Sequence, residues 1–428
     1  MKKDKKQFNY NVVSIGLCFL MILFGLGLWA PKSLFVVPIT SALGISRSAY
    51  SIADTMRYVA TAFVNMFFGF LIQKFGSKKL ICAGFLALIG AAVLYGVAEH
   101  VFVFYIGGFL LGVGLSWTGT TIVGYVVNKA CKNNKGTIMG FVLAANGIGG
   151  ALAAQIVTPF INDANNPFGY RKAYFVMAAV FATLFILLLI FYKEPVQTSE
   201  NESVKSNKKK HGEGWVGIEY SQASKKAYFY GACVCILFTG MVLQGVTSIS
   251  SAHMTDVGLD LQYISVIATI SSLALSAFKF LNGFIYDRAG LRITITIDCC
   301  AAIGVMVCLY FITNSLFGMI LAVVYAILAA IALPLETVMI PIYANDLFGE
   351  KSFNKVLGIF VSLNQIGYAL GGPIINLFFD VTGTYKGALL LCGGIMTAVV
   401  IGLQIVITAA KKVRKSFLEE EPIQKQAD

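Results

Sequence analysis

The sequence predicts an all-α membrane protein of twelve transmembrane helices in two pseudo-symmetric six-helix bundles, and three observations carry that prediction. Hydrophobic residues make up 57% of the 428, charged residues 13%, and the mean hydropathy is +0.76. That leaves too little polar surface to cover a soluble globule. The chain also divides into about twelve apolar stretches of the roughly 20 residues that a helix needs to cross a hydrocarbon core. Finally, the two halves repeat. Gly69, Gly76 and Lys78 frame a basic turn after the second stretch, and Gly283, Gly290 and Arg292 frame another 214 residues later; Gly140, Asn146 and Gly149 recur as Gly358, Asn364 and Gly367 at an offset of 218. Internal similarity of this kind marks repeat architecture.

In chain order, the first stretch (11–39) follows a basic start, is too long for a signal peptide and has a poor cleavage sequence around Trp29-Ala30-Pro31. It is therefore expected to stay as a span, with Lys32 inside it. The second (49–72) carries Asp54 and Arg57, three residues apart and so on one helix face. Stretches 79–98 and 101–128 follow. The closely spaced glycines Gly107, Gly108, Gly112 and Gly114 have no strand before them, which predicts close helix contact and not a nucleotide loop. Stretches 137–161 and 172–192 complete the first half.

Segment 193–226 is rich in Ser, Asn, Lys and Glu and is expected to be a flexible polar linker, His211 included. It separates a bundle at 1–192 from one at 227–410, with 411–428 as a tail. The seventh and eighth stretches are 227–253 and 263–286. His253, at the end of the seventh, is expected to be an exposed loop residue. Lys279 lies eight residues before Asp287, about 12 Å along a helix and hence deep in the membrane. Stretches 293–313, 316–343, 355–379 and 385–410 follow. In the tenth, Glu336 stands between Pro334 and Pro341, which interrupt backbone hydrogen bonding. A carboxyl in such a broken helix is a candidate proton carrier, as is Asp54.

Of 33 Lys and Arg, three fall in spans and four in loops of one side, leaving 26 on the other. The basic side, which holds both termini, is expected to be cytoplasmic in a plasma or inner membrane. The charge of +12 is then explained by orientation and contact with the lipid bilayer, without nucleic acid. Nine cysteines in spans or on the basic side show no disulfide or zinc spacing.

The turn after the second and eighth stretches resembles the signature loop of the major facilitator superfamily, G-x-x-x-D-R-x-G-R-[KR]. The second copy keeps the acid as Asp287, followed by Arg288; the first has Gln73 in its place. The resemblance implies a bundle-rocking transporter with these loops as its conformational switch. More narrowly, Ala30-Pro31-Lys32-Ser33 and Leu43-Gly44-Ile45-Ser46-Arg47-Ser48 resemble the monocarboxylate transporters and the related oxalate/formate antiporters. That likeness implies a functional role for Lys32 and a carboxylate contact for Lys279, four residues before Gly283. Two further charges used in those groups fall on Leu275 and Asn364 here, so neither group's full set is present.

Together these readings predict a secondary transporter of small monocarboxylates or dicarboxylates, a proton symporter or an anion exchanger. Lys32 and Lys279 would hold the anion between the bundles, with Arg57, Trp117, Asn146, Asn364 and Tyr368 as further candidates for the binding cavity. The partners expected are the carboxylate, protons or a counter-anion, and lipid; no cofactor or metal is expected, and a monomer suffices. The alternative is an exporter of hydrophobic or cationic compounds, which would favour embedded acids over embedded bases. A transport-dead receptor lacks a signalling domain in the short tails, and three scattered histidines assemble no catalytic site.

Overall fold

The computed structural model describes residues 2–130, 135–162, 166–194, 217–349 and 351–424, and among these the chain is helical throughout its apolar stretches. The first crossing is discontinuous. It begins as α1 (Lys2–Leu20), loosens into a π-turn at Met21–Leu26 and a 3-10 turn at Gly27–Trp29, and breaks at Pro31. It resumes through a 3-10 turn at Lys32–Phe35 into α2 (Val36–Leu43). Pro31 cannot supply the backbone donor that an unbroken helix requires there.

The second crossing is α3 (Arg47–Met66), and α4 (Phe68–Val97) completes it and returns as the third. The fourth to sixth are α5 (Val101–Thr118) with α6 (Thr120–Ala130), then α7 (Lys135–Ile161) and α8 (Gly169–Phe191). After the short α9 (Tyr220–Ala223), the second half repeats the plan with α10 (Ala227–Asp256) and α11 (Leu261–Phe311), whose two arms are the eighth and ninth crossings. The tenth is α12 (Leu316–Ala332), α13 (Pro334–Thr337) and α14 (Met339–Phe348), segmented around Pro334. The last two are α15 (Phe353–Thr382) and α16 (Lys386–Gln424). Among the described residues, ten segments are long and apolar enough to cross a membrane. Residues 261–311 count once there although they fold into two arms, and the polar α3 is not counted, which brings the total to twelve.

The repeat is visible in the backbone. α4 and α11 both reverse at a glycine of the signature loop, Gly76 (φ 76°, ψ 166°) and Gly290 (φ 76°, ψ 171°), a region essentially closed to residues with a Cβ. A Cβ at Gly290 would meet nothing within 4 Å, so Gly290→Ala carries backbone strain alone. It is expected to cost about 1–3 kcal/mol and to lower the melting temperature of the purified protein. Gly283→Ala, also in open space but on the helical arm, is expected to be neutral or slightly stabilising. The second pair also matches: Gly149 lies against the Leu23 carbonyl and Gly27, and Gly367 against the Leu237 carbonyl and Met241. In each half the fifth helix thus approaches the first across a glycine.

The signature loops attach to neighbours in parallel ways. The Lys78 backbone N–H donates to Glu194 at 3.3 Å and its Nζ to the Leu189 carbonyl at 3.0 Å, so Glu194 brings a carboxylate to the loop in which Gln73 replaces the acid and lies exposed. At the matching position in the second half, Arg292 binds Gln404 at 2.8 Å and Thr408 at 2.6 Å. Asp287 is exposed, and Arg288 lies over the Phe284 ring at 4.1 Å.

Two sequence expectations change. Of the polar segment 193–226, residues 195–216, His211 among them, lie outside the described residues, as does Cys131. Residues 217–226 pack onto the second half instead of running free: Ile218 is buried and its N–H donates to the Phe348 carbonyl at 3.1 Å. His253, expected in an exposed loop, is 2% exposed. Its Nε2 lies 2.8 Å from the Leu309 carbonyl and its ring stands edge-on to Tyr385, because α10 continues to Asp256 and carries the histidine inside the bundle.

Candidate functional site

The two halves meet over one part of their length. Every hydrogen bond between them among the described residues falls toward the face opposite the termini. Arg47 forms a two-pronged ion pair with Asp256 (2.5 and 2.6 Å), reaches Tyr385 at 3.2 Å and stacks on Phe379 at 3.9 Å. Asp380 accepts from the backbone N–H groups of Arg47 and Ser48. Deeper in, Ser33 meets Ser251, Thr55 donates to the Ala369 carbonyl, and Ser265 and Ser276 donate to the Ala154 and Ala144 carbonyls. On the termini side of these contacts, a Cβ at Gly140, Gly283 or Gly358 would meet nothing within 4 Å. The molecule is closed on one face and open on the other.

At the inner limit of the closure lies a charged cluster. The break in the first crossing turns Lys32 toward α3, where its Nζ pairs with Asp54. Arg57 Nε is 3.1 Å from the other oxygen of Asp54, off the line that a hydrogen bond needs. The three side chains keep 20%, 27% and 14% of their surface, because they border a cavity of about 40 Å³ lined also by Trp29, Tyr50, Tyr95 and Tyr174. The glycines of α5 set this register. Gly108 lies against the Ala53 carbonyl and Gly112 against the Arg57 carbonyl, so α3 can approach closely enough to seat both charged residues. Two cations face one acid, leaving one positive charge uncompensated.

A polar chain leads from this cluster into the second half. The Arg57 guanidinium lies 4.3 Å above the Tyr58 ring, and Tyr58 packs against Tyr368 with centroids 5.2 Å apart. The Tyr368 side chain lies beside Glu336, as Gln244 lies beside Tyr58. Glu336 is 6% exposed, with one carboxyl oxygen unpartnered. The short α13, started by Pro334, places it there.

The structure thus joins Lys32, Asp54, Arg57, Tyr368 and Glu336, but it does not join Lys279 to Lys32. Lys279 lies one turn beyond Ser276, the last hydrogen bond between α7 and α11 among the described residues, half-buried and without an ion pair among them. Asn364 is 3% exposed and faces its own bundle, beside Gly240 and Tyr343, because the glycine of α10 draws it inward. Asn146 is half-buried on α7, and Trp117 packs its Cβ against Gly84; neither lines the cavity. Sequence reasoning missed Tyr50, Tyr58, Tyr95 and Tyr174. Tyr50 and Tyr58 were detectable, since residues 50, 54, 57 and 58 share one face of a helix.

The family model of the Major Facilitator Superfamily matches residues 17–339 and 232–427. The chain is 22% identical over 347 residues to the sialic acid transporter NanX of Escherichia coli (strain K12), covering 80% of each protein. It is 22% identical over 339 residues to monocarboxylate transporter 12 of Homo sapiens, covering 73% of this chain and 64% of that one. Among solved structures, the nucleoside transporter NupG superposes with a TM-score of 0.73 at 16% identity, covering 93% of this chain and 99% of NupG.

Proposed function

Because this chain belongs to the major facilitator superfamily and is a multi-pass membrane transporter, we propose that it moves a small monocarboxylate or dicarboxylate across the cell membrane by alternating access of its two bundles. The observation that carries the proposal is the cluster at the inner limit of the closure, where Lys32 and Arg57 face Asp54 alone. An ionisable residue at membrane depth costs roughly 2.5–3.5 kcal/mol even on the lenient scales, and a pair of opposite charges offsets that cost. A carboxylate supplies the missing negative charge. Arg57 offers it a planar two-donor fork and Lys32 a point charge. With cargo bound the cluster sums to neutral, so burial behind a closed face costs less than in the empty carrier, and binding favours rocking. A cavity of about 40 Å³ has room for a few water-sized groups, which suits a small acid. NanX and monocarboxylate transporter 12 are named for acidic cargo, and NupG for nucleosides.

The charge bias supports a cytoplasmic location for both termini, and on that reading the closed face is the outer one. Lys279, on the open inner side, is the first cation that a cytoplasmic anion meets. Tyr58 and Tyr368 link the cluster to Glu336, a buried carboxyl that takes up a proton when the anion binds. Glu336→Gln is therefore expected to abolish accumulation driven by an inward proton gradient while leaving exchange of labelled for unlabelled carboxylate within about twofold of wild type, because the amide is uncharged like the protonated acid but cannot release a proton.

The proposal is tested by uptake into proteoliposomes offered labelled formate, acetate, lactate, pyruvate and oxalate, with and without a proton gradient or preloaded carboxylate. Uptake above empty liposomes is expected for at least one acid, and the condition that accelerates it separates symport from exchange. Folded protein that carries none of the five would contradict the reading.

A further inference from the structure

A second buried carboxyl lies away from the central cluster. Asp298, on the second arm of α11, is 1% exposed, and Asn282, on the first arm, is 3% exposed. Asn282 Nδ2 donates to Asp298 Oδ1 at 2.7 Å. The remaining oxygen of each side chain, Asp298 Oδ2 and Asn282 Oδ1, is buried with no hydrogen-bond partner. From these facts we propose that Asp298 is a proton-binding site of the second bundle, kept neutral by its burial away from any cation and paired as the acid with Asn282.

As a carboxylate, Asp298 would bury a full charge beside two unused acceptors, and the surroundings offer no relief. No ion pair among the described residues includes Asp298. Its titratable neighbours are Cys299 on its own helix, Tyr343 of α14 and, behind them, Cys235 of α10, none of which is a cation. Burial of an uncompensated charge is the costliest of these options. One proton on Oδ2 resolves both defects. It removes the charge and turns Oδ2 into a donor, for which Asn282 Oδ1 is an unused acceptor on the side chain already bound. The result is an acid–amide pair with a hydrogen bond on each edge. The step is a simple protonation: one O–H bond forms, the charge of the bundle rises by one, and no other reactant is needed.

Asn282 stands three residues after Lys279 and immediately before Gly283 of the signature loop. The proton therefore ties the arm that carries Lys279 to the arm behind it. Relative movement of the two arms removes the acid's partner, so release of the proton accompanies that movement.

The test is infrared spectroscopy of the full-length protein in lipid at neutral pH, with the aspartate carboxyls labelled with carbon-13 so that Glu336 does not contribute. A carbonyl stretch of a protonated aspartate is expected, shifted in heavy water and lost in Asp298→Asn. In Asn282→Leu the band is expected to persist at higher frequency, because the carbonyl has lost its donor; this variant also serves if Asp298→Asn fails to fold. A wild-type spectrum without a protonated aspartate, a band that survives Asp298→Asn, one that Asn282→Leu leaves in place, or an aspartate carboxylate band that responds to sodium instead would each overturn the proposal.

Discussion

Arg57→Gln is expected to reduce carboxylate uptake by on the order of 10²- to 10³-fold in kcat/KM while the purified protein keeps its elution profile and melting temperature. Removing one partner of a buried, hydrogen-bonded charge pair costs roughly 2–5 kcal/mol, and here the loss falls on the bound anion, because Asp54 retains Lys32. Arg57→Lys restores the charge without the fork and is expected to recover part of the loss, mainly in KM. Asp54→Asn should act in the opposite sense on affinity. It leaves two cations uncompensated, so the anion binds more tightly, but the empty carrier pays more to close and turnover falls. Unchanged uptake by Arg57→Gln would mean that the cluster is a structural ion network.

The second large effect concerns the closed face. Arg47 is 10% exposed and holds Asp256 with both guanidinium prongs, while Asp380 fixes its backbone. Arg47→Gln breaks the one two-pronged ion pair between the bundles among the described residues. A loss of about 1–3 kcal/mol from that state shifts the equilibrium between open and closed faces by about 5- to 150-fold. A cysteine placed at Ser51, buried behind the pair, is expected to react faster by that factor with a membrane-impermeant thiol reagent added on the face opposite the termini. Asp256→Asn should match it, and the double variant should add little, as for residues that share one interaction. Equal labelling rates in all four proteins would exclude this pair as the gate.

The comparison of residues with structure shows what a sequence of this kind reveals. Hydropathy alone delivers the crossings, including α3, although it carries Arg47, Asp54 and Arg57 and is the most polar of them. The repeat located the reversals at Gly76 and Gly290 because their backbone angles admit glycine almost exclusively. Asp54 and Arg57 were legible as a pair, since i,i+3 spacing is local. That Lys32 takes the same carboxylate was not, because the break at Pro31 sets the direction of its side chain. Lys279 and Lys32 do not meet in this structure for a related reason: depth along a helix is readable from residue number, but which face meets the other bundle depends on how far the bundles have rocked. His253 looked like a loop residue because the end of α10 was placed three residues early. Glu336 was legible as a buried acid between prolines and Tyr368 as a cavity candidate, whereas their proximity was not, because they lie on different helices.

The central claim is that negative charge on the cargo completes the cluster of Lys32, Asp54 and Arg57. It is tested most directly by comparing uptake of one labelled acid, lactate, with its uncharged amide and with an amine of the same size in the same proteoliposomes. Saturable uptake of lactate alone, lost in Arg57→Gln, is the expected result. Equal uptake of the amide, or uptake of the amine in preference to the acid, would contradict the claim and point to an exporter of neutral or cationic compounds.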